Sequence, residues 1–181
     1  MRRRFGREHL EKLFLRIDAE LASPAEMLVI GGAAVALQIP QPHLTSDLDL
    51  WERCGPALRE AIDRAIADDP DPPDIDVVTI GQAPYDFHDR IWKLEIAGLQ
   101  RLTVMLPDRH DLSILKLTRC AEHDIAAIEA LHRALPMQEA TLIQRFIETD
   151  TFGHRRFHEL ALLDILERLF GVAAEIARSK F

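Results

Sequence analysis

A chain of 181 residues, 48% of them apolar and 29% charged, has enough apolar side chains for one core, or one core with a helical extension, and too few positions for two domains of ordinary size. Its formal net charge of -8 sets most of the surface against polyanions, so a nucleic acid would have to find a local basic patch. No run approaches the roughly 20 apolar residues of a membrane span. Cys54 and Cys120 are far apart and form no CxxC pair, so neither a disulfide framework nor a Cys/His zinc grid is suggested and two reduced thiols are expected; with no span, a cytoplasmic location is expected.

The basic patch is "MRRRFGR", which reads as a solvated terminus or as a contact for RNA or an acidic partner. The residues behind it, "EHLEKLFLRIDAE", alternate charge with leucine and so do not make a secretion signal. Leu10, Leu13, Phe14, Ile17 and Leu21 recur at helical spacing and predict an amphipathic helix ended by "SPAE". "MLVI", residues 27–30, is too short for a helix and stops at Gly31 and Gly32, which predicts a buried strand; Ala33 to Gln38 then open a short helix. "TSDLDLW" alternates with period two, placing Asp47 and Asp49 on one face of a strand and Leu48 and Leu50 on the other.

Pro56 suits the first turn of a helix whose apolar stripe is Leu58, Ile62, Ala65 and Ile66, and the prolines of "DDPDPPD" end it. Residues 74–80, "DIDVVTI", form another alternating strand with Asp74 and Asp76 on one face. "IWKLEIAG" and "LQRLTVML" predict a hairpin around Gly98. From Asp108 the period changes to 3.6, through Leu112, Leu115, Ile125, Ile128, Leu131 and Leu135, then Phe157, Leu160, Leu163, Leu166 and Phe170. The expected fold is α+β: a small mixed sheet backed by helices over residues 1–107, with a helical region over 108–181 packed on that core.

The chemistry concentrates on the paired aspartates. Carboxylates at i and i+2 on a strand have Cα atoms about 7 Å apart, at a rise of roughly 3.3 Å per residue, and their side chains can lean together. That arrangement suits Mg²⁺, which takes one or two carboxylates plus substrate phosphates. Asp76 is the expected third acid, fixing the metal or taking the nucleophile's proton, with Glu95 in reserve. Gly31 and Gly32 would let backbone N–H groups approach a phosphate at a helix start, and the pair equally marks a routine turn. Thr45 and Ser46 either begin the strand or offer hydroxyls to a phosphate; Lys116 either lies along a helix surface or offsets phosphate charge. His43, His110 and His123 are expected on the surface. His154 and His158 stand at i, i+4 but lack the glutamate of HExxH, so they are not read as a zinc site.

"VIGG", "SDLDLW" and "DIDVV" together resemble the nucleotidyltransferase superfamily with the DNA polymerase β-like fold: an apolar strand, a glycine turn, Asp-x-Asp on the next strand and a later acid. Small prokaryotic members of the AbiEii and MNT toxin–antitoxin kind are the nearest in look, and their lysine helix and downstream aspartate have counterparts in Lys116 and Asp124 of "DLSILKLTRCAEHDIAAIEAL". The likeness spans residues 27 to about 131, with Ala33 where many members carry serine and a longer gap between the glycines and Asp47. It implies transfer of a nucleoside monophosphate from an NTP to an acceptor (RNA, protein or small molecule), dependent on Mg²⁺ or Mn²⁺, at Asp47, Asp49 and Asp76. A toxin or antitoxin protein is the implied partner. The alternative is a catalytically weak binding module on the same fold.

Overall fold

A computed structural model describes residues 4–51, 55–70, 72–78, 82–119, 121–149 and 155–171. Most of the arginine run, Cys54, Cys120, His154 and the end of the strand expected over 74–80 lie outside them. The chain divides into two units, residues 1–80 with 90–107, and residues 81–89 with 108–181. Among the described residues no helix is long and apolar enough to cross a membrane.

The first unit holds helix α1 (Arg7–Glu20), strand β1 (Ala25–Ile30), helix α2 (Gly31–Gln38), strand β2 (Asp47–Trp51), helix α3 (Pro56–Ile66) and strands β3 (Asp74–Val78), β4 (Trp92–Leu94) and β5 (Leu102–Leu106). The sheet order is β3-β2-β1-β5-β4. It is mixed: β1 runs antiparallel to β2 and parallel to β5, β2 and β3 are parallel, and β4 and β5 form the expected antiparallel hairpin. The period-two patterns divide its faces. Met27, Val29, Leu48, Leu50, Leu102 and Val104 are buried on one face, and Asp47 and Asp49 point to the other. α1 buries Leu10, Leu13, Phe14 and Ile17 and packs on β5 and on α3. The fold is α+β, as the order of the patterns predicts.

The turn into β5 is held from α1. Asp18 Oδ1 accepts the backbone N–H groups of Gln100, Arg101 and Leu102 at 3.0, 2.7 and 2.6 Å. Burial pushes this carboxyl up, but the three N–H donors outweigh it and hold the group below its ordinary value. Asp18→Ala is expected to cost about 1–3 kcal/mol, the penalty for the one buried donor, Leu102 N–H, left without an acceptor. Urea denaturation measures it, and an unchanged midpoint would contradict the capping role.

The second unit is helical: α4 (Arg109–Leu117), α5 (Glu122–Ala134), α6 (Glu139–Ile147) and α7 (Arg155–Phe170). Ile114, Leu117, Ile128, Leu142, Phe146 and Leu162 belong to its core. Residues 81–89 join this unit through a bridge between Pro84 and Thr149 and a bond from Tyr85 N–H to Glu148 C=O at 3.2 Å. Two expectations are corrected here. Of the stripe placed by periodicity on α7, Leu163 and Leu166 are buried but Phe157 and Leu160 are 57% and 56% exposed, because the buried face also takes in His158, Ala161, Leu162 and Ile165 and turns away from those two. His110 is buried, not on the surface: its Nδ1–H donates to Asp108 at 2.8 Å and its Nε2 accepts the Gln138 N–H at 3.1 Å, so both ring nitrogens are satisfied inside the unit. His123 is exposed, as expected. His158 is buried with Nε2 donating to Thr118 C=O at 3.1 Å, a use that has nothing to do with a zinc motif.

Candidate functional site

Strand pairing assembles the acids. β3 lies beside β2 in parallel with Asp74 opposite Asp47 and Asp76 opposite Asp49, so the two alternating Asp-x-Asp stretches present four carboxylates in register on one face. Parallel neighbours in register point the same way, so each period-two stretch and this register together put the acids on one face. Asp47 and Asp49 are half-buried and Asp76 is exposed. Glu95, just beyond β4, falls at the opposite edge of the sheet and has its carboxylate 3.2 Å from Lys93 Nζ. Strand order therefore sets Asp76 beside Asp49 and leaves Glu95 away from it.

The β1–α2 junction closes the site from the other side. Ile30 pairs with Asp49 across the sheet, and α2 starts at the next residue. Gly31 has φ +66, and a Cβ there would collide with the Asp49 carboxylate; a Cβ on Gly32 would lie 2.6 Å from Thr45 Oγ1. The glycines are thus required by two side chains that press on the first turn of α2, a reason the sequence pattern alone does not reveal. The Asp49 carboxylate thus sits against the start of α2, the positive end of the helix dipole. Gly31→Ala is expected to cost about 1–2 kcal/mol for the left-handed backbone, and to displace Asp49 as well. A moved ¹³C resonance of the Asp49 carboxyl alongside that modest shift in melting would show it; an unmoved resonance would refute the contact.

Asp47 carries a further mark. Its Oδ1 is buried and accepts no hydrogen bond from any described residue. A buried carboxylate oxygen without a donor is costly unless a cation or another donor reaches it. Thr45 is buried, its Oγ1 donating to Asp47 C=O at 3.0 Å and accepting Asp47 N–H at 3.3 Å, while Ser46 is half-buried beside it. Among the described residues no three His, Cys, Asp or Glu side chains converge closely enough to hold a metal ion unaided. The donor set fits a hard cation that takes the rest of its ligands from phosphate oxygens, which is the habit of Mg²⁺.

Residues 8–154 match the model of a family described as nucleotidyltransferase of unknown function (DUF6036). The chain belongs to that family. No curated protein and no solved structure matches it. The family description covers both units of this nucleotidyltransferase-family chain, from α1 to the end of α6.

Lys116 and Asp124 of this family member lie in the second unit and bind each other. Lys116 is 4% exposed with Nζ 3.1 Å from Asp124 Oδ1, so it is not a lysine lying along a helix surface. Arg119 adds Nε to Oδ2 at 2.8 Å and Nη2 to Oδ1 at 2.7 Å, and the Ala121 N–H reaches Oδ2 at 3.4 Å. Burial pushes the Asp124 carboxyl up, but the Arg119 hydrogen bond and the charges of Lys116 and Arg119 prevail and hold it at about 2. The cluster ties the end of α4 to the first turn of α5. The resemblance singles out Lys116 and Asp124; that Arg119 shares the same carboxylate follows from the bend between α4 and α5.

Proposed function

We propose that the chain is a metal-dependent nucleotidyltransferase that moves a nucleoside monophosphate from an NTP to an acceptor hydroxyl. The observation that carries this is the register of β2 on β3, which sets Asp76 against Asp49 next to the glycine turn, with Asp47 presenting a buried, undonated oxygen. Asp47 and Asp49 would hold Mg²⁺, or Mn²⁺ in its place, and Asp76 would complete the set or accept the acceptor's proton. The cation would supply Lewis-acid polarisation of the phosphate oxygens. The backbone N–H groups at Gly31 and Gly32 cradle the triphosphate at the start of α2, and the Ser46 hydroxyl is available to it. In the transfer the acceptor oxygen bonds to the α-phosphorus, the bond to the β-phosphate oxygen breaks, and pyrophosphate leaves. We assign no phosphate to Lys116, whose buried ammonium is on Asp124.

Positioning and charge neutralisation account for such a reaction with little covalent work by the protein. RNA, a protein hydroxyl and a small-molecule hydroxyl all supply the nucleophile, and the toxin–antitoxin likeness adds a partner protein to the proposal. Ala33, which offers no hydroxyl on α2, favours a second reading, a binding module that takes nucleotide without turnover.

Incubation with each α-labelled NTP and Mg²⁺, in the presence of bulk RNA or cell lysate, tests the first reading. The expected result is label in an acceptor with release of pyrophosphate. Mg²⁺-dependent heat of NTP binding without transfer would support the binding module. Neither label nor heat at millimolar nucleotide would overturn both.

A further inference from the structure

Asp47 is the first residue of β2, and β1 pairs with β2 only at Leu50 and Asp49, so no strand pairing with β1 reaches it. The Thr45 hydroxyl engages both of its backbone groups instead, donating to the C=O at 3.0 Å and accepting the N–H at 3.3 Å. A hydroxyl has one hydrogen to give. Thr45 gives it to Asp47, so a phosphate oxygen could claim it only by releasing that residue.

Thr45 is itself fixed on two further sides. Its side chain presses on Gly32, where a Cβ would lie 2.6 Å from Oγ1. Its backbone forms a two-way bridge with Phe5, N–H to C=O at 2.6 Å in one direction and 3.0 Å in the other, and Phe5 is 2% exposed. Phe5, two residues before α1, therefore braces the residue that aims the first carboxylate of the site.

We propose that Thr45 is a positioning residue, whose hydroxyl orients Asp47 for the cation while Phe5 and Gly32 hold Thr45 in place. The proposal rests on the nucleotidyltransferase reading for the identity of the cation, though not for the orientation of Asp47. Groups that orient a ligand without touching the metal commonly change metal affinity about 10–100-fold when removed.

The test compares wild type, Thr45→Val and Thr45→Ser by the ¹³C resonance of the Asp47 carboxyl and by Mn²⁺ binding in the presence of nucleotide. Thr45→Val is expected to move or broaden the Asp47 resonance and to weaken Mn²⁺ about 10–100-fold, while Thr45→Ser matches wild type in both. Thr45→Ala, which lacks the hydroxyl and puts no branch against Asp47, repeats the test should Thr45→Val fail to fold. An Asp47 resonance unchanged by loss of the hydroxyl overturns the proposal, as does a serine variant as defective as the valine one. Wild type that binds no Mn²⁺ counts against the nucleotidyltransferase reading alone, because the carboxyl resonance still tests Thr45.

Discussion

Asp49→Asn is expected to lower nucleotide transfer by about a thousandfold or more, the scale on which several kcal/mol of charge stabilisation leaves a transition state. The amide matches the carboxylate in shape, so it fits over Gly31 as Asp49 does, without the collision that a larger side chain would bring. Two electrostatic changes then oppose each other. Losing a negative charge at the start of α2 forfeits roughly 0.3–1 kcal/mol of dipole interaction, and it also relieves repulsion from Asp76 opposite and Asp47 two residues away. Melting should therefore stay close to wild type while labelled acceptor disappears. A variant that labels acceptors as well as wild type would show that this carboxylate does not serve the reaction.

Asp124→Ala should be the most damaging single change in the second unit. It removes the anion from a buried lysine, leaving Lys116 at 4% exposure without the carboxylate that Arg119 also shares. Breaking a buried pair from one side costs about 3–5 kcal/mol, a large share of the roughly 5–15 kcal/mol that holds an ordinary domain together. Replacing both partners with apolar residues, as in Asp124→Leu with Lys116→Met, should recover most of the loss. The same carboxyl has an acid signature. With its folded value held at about 2, below the ordinary 3.8, it stabilises fully above pH 4, and the contribution fades as pH falls from there towards 2. Asp108, held at about 2 against burial by its bonds from His110, fades over the same window, so wild type loses stability in that range and the Asp124→Ala chain loses less of it. Urea midpoints for both chains between pH 5 and 2 decide the matter. Equal slopes would mean that Asp124 contributes nothing through its charge.

The site was legible where the signal is local. "DLDLW" and "DIDVV" each carry their own period of two, and parallel pairing in matching register, which burial of their apolar faces favours, puts four aspartates on one face. The glycines could be seen, but their reason could not, since it lies in Asp49 and Thr45 arriving from 13 or more residues later. Asp18 was invisible for the same cause: its three donors stand more than 80 residues away. In α7 the difficulty was an excess of signal. Leucines at 160, 162, 163, 166 and 169 allow two overlapping stripes, and packing within the second unit buries Leu163 and Leu166 from one together with His158, Ala161, Leu162 and Ile165 from the other, leaving Phe157 and Leu160 outside. His110 failed in the opposite sense: its two ring nitrogens find partners in Asp108 and in a backbone amide 28 residues on, which only the fold brings together.

The in-register acids of β2 and β3 make the sheet edge a place of deliberate frustration. Like charges facing each other across a strand pair oppose the very pairing that brings them together, and shifting β3 by one residue would set Ile75 or Val77 against Asp49 instead. The apolar residues on the reverse face disfavour that slip, so the register that brings the acids together is held by the other side of the sheet. A cation held between them would cancel that repulsion and so also tighten the strands that carry the acids.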